Sequence, residues 1–255
     1  MKTVHFVRHG ETEQNKDGIW QGHTNTQLSK TGKAQAKLLS KRINLKNQTV
    51  FTSDLARAKE TAYFLSDSPN VRENLREINV GDFTGKSVKE TYSNNLDIFD
   101  ALQYDTYVFP NGESVQEFKL RVQKEVDHIF DNIDEDSECV VVTHGFFIGT
   151  AIGLVLGFNQ YPYPIGNIQN TSISTVIKRD SVMQVNKFND AIHLPNSYID
   201  YPAKDKSRIL TFIRHGQTDS NTQGVWQGHV DNPLNTYGVE TAKELKGKFS
   251  NYDLY

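Results

Sequence analysis

The sequence predicts an α/β protein: a mainly parallel sheet flanked by helices on both faces. Two observations carry this. Short apolar or β-branched runs at residues 3–7, 49–52 and 139–142 alternate with segments of helical periodicity. The runs are also close to continuously apolar, as strands covered on both faces are.

In order, residues 3–7 read as a central strand. Ser29 then reads as an N-cap for a helix over residues 30–43, with Ala34, Leu38 and Ile43 inward. Residues 49–52 are a second strand, and Asp54 is expected to open a helix over residues 55–65. Residues 71–75 read as short and extended, and Gly81, Asp82 and Gly85 punctuate a loop. Residues 94–109 carry no clear period and are assigned to part of a lid. The turn Pro110-Asn111-Gly112-Glu113-Ser114 leads into an amphipathic helix over residues 115–130. Its apolar face is Val115, Phe118, Val122, Val126, Ile129 and Phe130. Two runs, 172–178 and 182–188, are joined by Arg179-Asp180-Ser181 and look antiparallel.

Residues 139–158 lack a formal charge and repeat glycine at 145, 149, 153 and 157, which suits a membrane span by length and spacing. The β-branched start, the break at Thr143-His144-Gly145 and the lack of a flanking Lys/Arg cluster favour a buried strand followed by a buried helix.

An internal repeat sets the domain plan. Arg8-His9-Gly10-Glu11-Thr12 returns as Arg214-His215-Gly216-Gln217-Thr218, and residues 209–255 align with the start of the chain without a gap. Asn15, Gly18, Trp20, Gln21, Gly22, His23 and Gly32 are among the residues that recur. The expected plan is a complete domain over 1–194, a linker over 195–207 and a partial repeat of the first strand and helix over 208–255. The second copy has Arg214, His215 and Asn221 but no equivalent of Arg57, Glu77 or His144, so it is expected to be catalytically inert. It offers a route to oligomers.

The 255 residues carry a net charge of −3 and a pI near 6.2, which gives no basic field for nucleic acid. Cys139 is the single cysteine, so no intrachain disulfide forms, and a reducing, cytoplasmic setting is expected. The N-terminal residues lack a long apolar stretch, so no secretory signal is expected.

The chemistry-bearing residues sit at strand ends. Arg8 and His9 follow the first strand directly, and His144 follows the strand at 139–142; ligands of open α/β sheets bind beyond such ends. Two histidines could therefore share one pocket. Neutral imidazole is a competent nucleophile toward phosphorus. Arg57, one turn into a helix, can grip phosphate oxygens in a bidentate way. Glu77 lies between apolar neighbours, and partial burial there would raise its pKa toward the range of a general acid. Each residue alone has an ordinary structural reading: core histidine, solvated arginine or surface carboxylate.

The ordered set RHGET, SDLARA, LREINVGDFTG, PNGES and VVTHG resembles the histidine phosphatase superfamily, also called phosphoglycerate-mutase-like, over residues 1–194. The resemblance implies a phosphohistidine mechanism without metal or other cofactor. It implies His9 as the phosphorylated nucleophile, Arg8, Asn15, Arg57 and His144 as the phosphate pocket, and Glu77 as proton donor. The implied partner is a small phosphorylated substrate. No Walker or HExxH motif supports another phosphoryl or metal chemistry. The sequence departs from the mutases at Phe146, where they commonly have Asn, and in a shorter stretch between Glu77 and His144. Tyr104, Tyr107, Phe109, Phe146 and Phe147 are available in place of a basic segment. The expected activity is thus a metal-independent phosphomonoesterase. A phosphoglycerate-type mutase and a non-catalytic binding module are the alternatives.

Overall fold

The structure, a computed structural model, describes residues 1–43, 48–94, 106–158, 167–195 and 213–246. The chain divides into two compact units, Met1–Ser197 and Tyr198–Tyr255. Most of the stretch assigned to a lid, with Tyr104, lies outside the described residues. So do most of the expected linker and the start of the second copy, including residues 209–212.

The first unit is built on one six-stranded sheet of order β3-β2-β4-β1-β5-β6. Its strands are β1 (Lys2–Arg8), β2 (Thr49–Ser53), β3 (Asn70–Arg72), β4 (Glu138–Thr143), β5 (Ile173–Arg179) and β6 (Val182–Asp190). The first four in space run parallel, and β5 and β6 are antiparallel. At the centre β1 and β4 pair in register from Thr3↔Glu138 to Arg8↔Thr143, so Arg8-His9 and His144 emerge side by side. β2 lies on the other side of β4, pairing Thr52 with Val142.

Strand side chains alternate between faces, and the two faces bury separate clusters. On one face Val4, Phe6, Cys139 and Val141 pack with α5 (Val115–Asn132) and α6 (Gly145–Val155). On the other, Val7, Val50, Val140 and Val142 pack with Leu39 of α2 (Lys30–Arg42) and with Ala58 and Ala62 of α3 (Ala56–Tyr63). All six apolar residues expected along α5 are buried, and Ser114 closes its N-terminus in a capping box with Glu117. Burying Phe118 or Phe130 contributes about 1.5–3 kcal/mol each, so this face anchors α5. The stretch 139–158 resolves into β4 and α6, and among the described residues no helix is long and apolar enough to cross a membrane.

Three expectations need correction. α2 is capped by Ser29, but it buries Gly32, Ala36 and Leu39, and Ala34 is exposed. The reason is Gly32, where a Cβ would lie 2.1 Å from the carbonyl oxygen of Glu11. That backbone contact fixes which face of α2 meets the loop after β1. Asp54 does not cap α3; Leu55 holds that position without a side-chain bond, and the Asp54 carboxylate is held by Arg76. Residues 71–75 are extended only to Arg72, and Glu73–Leu75 form a 3-10 turn. Among the described residues the unit also holds two short helices, α1 (Glu13–Lys16) and α4 (Val88–Asn94), and a 3-10 turn at Gly81–Phe83.

The described part of the second unit holds α7 (Asp219–Thr222) and α8 (Thr236–Lys246). Trp226 there is 98% exposed, and Ile213, Val225 and Val230 are also exposed.

Candidate active site

The site lies at the carboxyl ends of β1, β4 and β2, three adjacent strands. His9 leaves β1 and is 3% exposed. Its Nδ1 sits 2.7 Å from the carbonyl oxygen of Gly10. A carbonyl only accepts, so Nδ1 carries the proton and Nε2 keeps the lone pair. Burial, with Arg57 and Arg8 nearby, pushes the His9 pKa well below the ordinary histidine value. The ring is therefore neutral at pH 7, as a nucleophile must be.

His144 leaves β4 fully buried, its ring centroid 5.1 Å from that of His9 at 60°. Its pKa is also pushed far down, first by burial and then by Arg57, His9 and Arg8. Its Nε2 lies 3.0 Å from Ser53 Oγ, and its Nδ1 is buried without a protein partner.

Arg57 is only 1% exposed. Its Nη1 donates to the Thr24 carbonyl at 2.7 Å and its Nη2 to the Gly22 carbonyl at 2.8 Å. These bonds make the buried guanidinium tolerable and tie down the loop after α1. Burial lowers its pKa to about 10, so it stays charged at neutral pH. Arg8 donates through Nη1 to the Ile168 carbonyl. The Nε atoms of both arginines are buried and have no partner in the protein. Buried N–H groups rarely go unpaired, so these two Nε–H groups, on arginines whose charge acts on His9, are candidate donors to an anion.

Glu77 is placed by three backbone amides. Its Oε2 accepts from Phe146 N at 3.1 Å, and its Oε1 accepts from Ile78 N at 3.1 Å and Phe147 N at 3.3 Å. The first and last of these amides belong to the first turn of α6. Burial raises its pKa above the ordinary carboxyl value, although the amides, Arg57 and Arg8 pull the other way. Asn15 is oriented through its oxygen: Oδ1 accepts from Thr12 N at 3.2 Å and Asn170 Nδ2 at 3.3 Å. A backbone N–H can only donate, so the amide oxygen is fixed and the NH₂ group stays available.

The structure thus gathers Arg8, His9, Arg57, Glu77 and His144, with Asn15 joined through Asn170. Phe147 and Phe109 are core residues, while Tyr107 and Phe146 are partly buried. Trp20 packs on Phe146 at 6.0 Å and on Phe109 at 6.3 Å. Among the described residues no group of His, Cys, Asp and Glu converges as a metal centre requires.

Several supporting residues were not singled out from sequence. Asn170 Nδ2 also donates to the His9 carbonyl at 2.9 Å, and Thr171 N donates to the Arg8 carbonyl at 2.9 Å. Arg121 donates to the carbonyls of Asn74, Arg76 and Glu77 and pairs with Glu113, which holds the Glu77 segment in place. His23 Nε2 donates to the same Glu77 carbonyl at 2.8 Å. Glu113 lies in PNGES and Ser53 in SDLARA, so both carried a motif signal; Asn170 carried none.

Comparison with known proteins gives a consistent result. The family model described as histidine phosphatase superfamily (branch 1) matches residues 4–191 and again residues 210–254. A probable phosphoglycerate mutase GpmB of Enterobacter sp. is 28% identical over 213 residues, 81% of this chain and 99% of its own. A metal-independent phosphoserine phosphatase of Arabidopsis thaliana is 30% identical over 199 residues, 74% of this chain and 82% of its own. Among solved structures, a mutant phosphoserine phosphatase from Entamoeba histolytica in complex with phosphoserine superposes with a TM-score of 0.67. It is 28% identical, with 76% of this chain and 100% of that one covered.

Proposed function

The chain belongs to the histidine phosphatase superfamily, branch 1, and on that premise we propose that it is a metal-independent phosphomonoesterase acting on a small phosphorylated metabolite through phosphohistidine. The observation that carries this is the neutral, buried His9 whose Nδ1 is tied to the Gly10 carbonyl, close to Arg8, Arg57 and His144, each of which has a buried nitrogen without a protein partner.

The chemistry runs in two displacements. His9 Nε2 attacks the phosphorus in line; the N–P bond forms and the P–O bond to the alcohol breaks. Glu77, whose raised pKa favours the protonated form, gives its proton to the leaving oxygen. The His9 ring gains positive charge, which the Gly10 carbonyl stabilises at Nδ1–H. Glu77, now a carboxylate, takes a proton from water as the water oxygen attacks phosphorus. The N–P bond breaks, phosphate leaves and neutral His9 returns. Phosphoryl transfer needs alignment and charge compensation above all, and two guanidinium groups, the His144 N–H and the Asn15 amide supply the compensation.

The same phosphohistidine in a mutase would pass its phosphoryl group to a second hydroxyl, as the name of the Enterobacter relative suggests for that protein. Phe146 beside Trp20, in place of a polar phosphate contact, supports hydrolysis over that transfer. The single buried Cys139 supports a reducing cytoplasmic setting.

A panel of phosphomonoesters, phosphoserine and 3-phosphoglycerate among them, tests the reading. Free phosphate release that survives EDTA is the expected result. Isomerised product without phosphate release would assign a mutase, and activity that vanishes with EDTA and returns with Mg²⁺ would overturn the mechanism.

A further inference from the structure

We propose that Ser53 is a positioning residue that fixes the tautomer of His144, so that His144 Nδ1–H is presented to the phosphoryl group as a donor. The inference rests on the reading of this pocket as a phosphoryl-transfer site.

Ser53 ends β2 and is fully buried, next to the end of β4. Its Oγ lies 3.0 Å from His144 Nε2 and accepts from Leu55 N at 3.3 Å. His144 is deeply buried in a cationic surrounding and stays neutral. A neutral imidazole has one N–H and one lone pair, so which nitrogen holds the proton decides what the ring can do.

Only one assignment satisfies the groups present. If Nε2 carried the proton, Ser53 Oγ would accept from both the imidazole and Leu55. Its own hydroxyl proton would then have no acceptor among the described residues. The Nδ1 lone pair would also be left facing an anionic phosphoryl group, which is repulsive. In the reverse assignment Ser53 accepts from Leu55 and donates to Nε2. Ser53 Oγ and His144 Nε2 are then both paired, and Nδ1–H is the donor of the ring left over. That atom is buried and unpartnered, on a ring whose centroid lies 5.1 Å from that of His9. Ser53 never touches the substrate in this arrangement; it acts by taking the acceptor nitrogen of His144.

The test is long-range ¹H–¹⁵N correlation on the uniformly ¹⁵N-labelled full chain at neutral pH, without substrate. The His144 signals are identified by their loss in His144→Gln. The expected result is a pyrrole-type Nδ1 and a pyridine-type Nε2. In Ser53→Ala the two nitrogens should move toward the opposite tautomer, and kcat/KM should fall about 10- to 100-fold. Ser53→Thr, which keeps the hydroxyl, should restore both. A pyridine-type Nδ1 in the unaltered chain overturns the inference, as does an unchanged His144 spectrum in a folded Ser53→Ala protein. The spectrum of the unaltered chain needs neither turnover nor a folded variant. Absence of phosphatase activity would therefore count against the proposed function while leaving the tautomer result to decide this point separately.

Discussion

Residues 8–32 and 214–238 share one local geometry and differ in almost everything that makes a site. In both, a threonine closes a capping box with an asparagine three residues on: Thr12 with Asn15, and Thr218 with Asn221. In both, the histidine Nδ1 donates to the next carbonyl at 2.7 Å. A Cβ at Gly32 would lie 2.1 Å from the Glu11 oxygen, and one at Gly238 2.1 Å from the Gln217 oxygen. Yet His9 is buried and His215 exposed, and Trp20 is 7% exposed where Trp226 is 98% exposed. The motif dictates its own turn, caps and imidazole tautomer. It does not supply the rest of the site, because Arg57, Glu77 and His144 come from β2–α3, the segment after β3, and β4–α6.

The sharpest break in the comparison is at the histidines. His9→Ala should lower kcat/KM by at least about 10⁴-fold, the scale seen when a nucleophile is deleted. His215→Ala should leave steady-state hydrolysis unchanged. A large loss in the second variant would place the second unit in catalysis.

Glu77→Gln should cost about 10²–10⁴-fold for an alkyl phosphate, whose alkoxide needs a proton. The loss should be much smaller for p-nitrophenyl phosphate, and equal losses would argue against the acid role. The pH profile follows from the two shifts. The His9 pKa is depressed, so the nucleophile stays unprotonated and activity should persist below the ordinary histidine range. The Glu77 pKa is raised, and a general acid works only while protonated, so activity on alkyl phosphates should fall as pH rises through that value. In Glu77→Gln the alkaline limb should disappear, which pH–rate profiles of both proteins would show.

The tryptophans give a stability version of the contrast. Trp20→Ala removes a buried ring packed on Phe109 and Phe146 and should cost about 3–5 kcal/mol by denaturant unfolding. Trp226→Ala should stay within about 0.5 kcal/mol. The smallest expected effect is removal of the second unit. A chain ending at Asp200 should keep its kcat; loss of turnover in a protein still folded by circular dichroism would contradict the account.

What the sequence disclosed was local. The Ser29 cap and the apolar stripe of α5 each depend on residues within a turn or two, and each formed as expected. The ordered motifs contain five of the six candidate residues, Arg8, His9, Arg57, Glu77 and His144, while Asn15 lies three residues beyond RHGET. The misreadings have distant partners. Ala34 faces outward because a backbone contact at Gly32, made by the loop after β1, sets the phase of α2. Asp54 left its capping role because Arg76, 22 residues on, holds its carboxylate. Asn170 is 155 residues from the Asn15 oxygen it orients, and no spacing rule brings those two together.

One measurement bears most directly on the central claim that the first Arg-His segment alone carries the chemistry. The full chain, mixed with a phosphomonoester and quenched within milliseconds, should yield an acid-labile, base-stable phosphoprotein. Mass spectrometry should place the phosphoryl group on His9, with His215→Ala labelled equally and His9→Ala not at all. A normal adduct in His9→Ala, or label found on His215, would contradict the account.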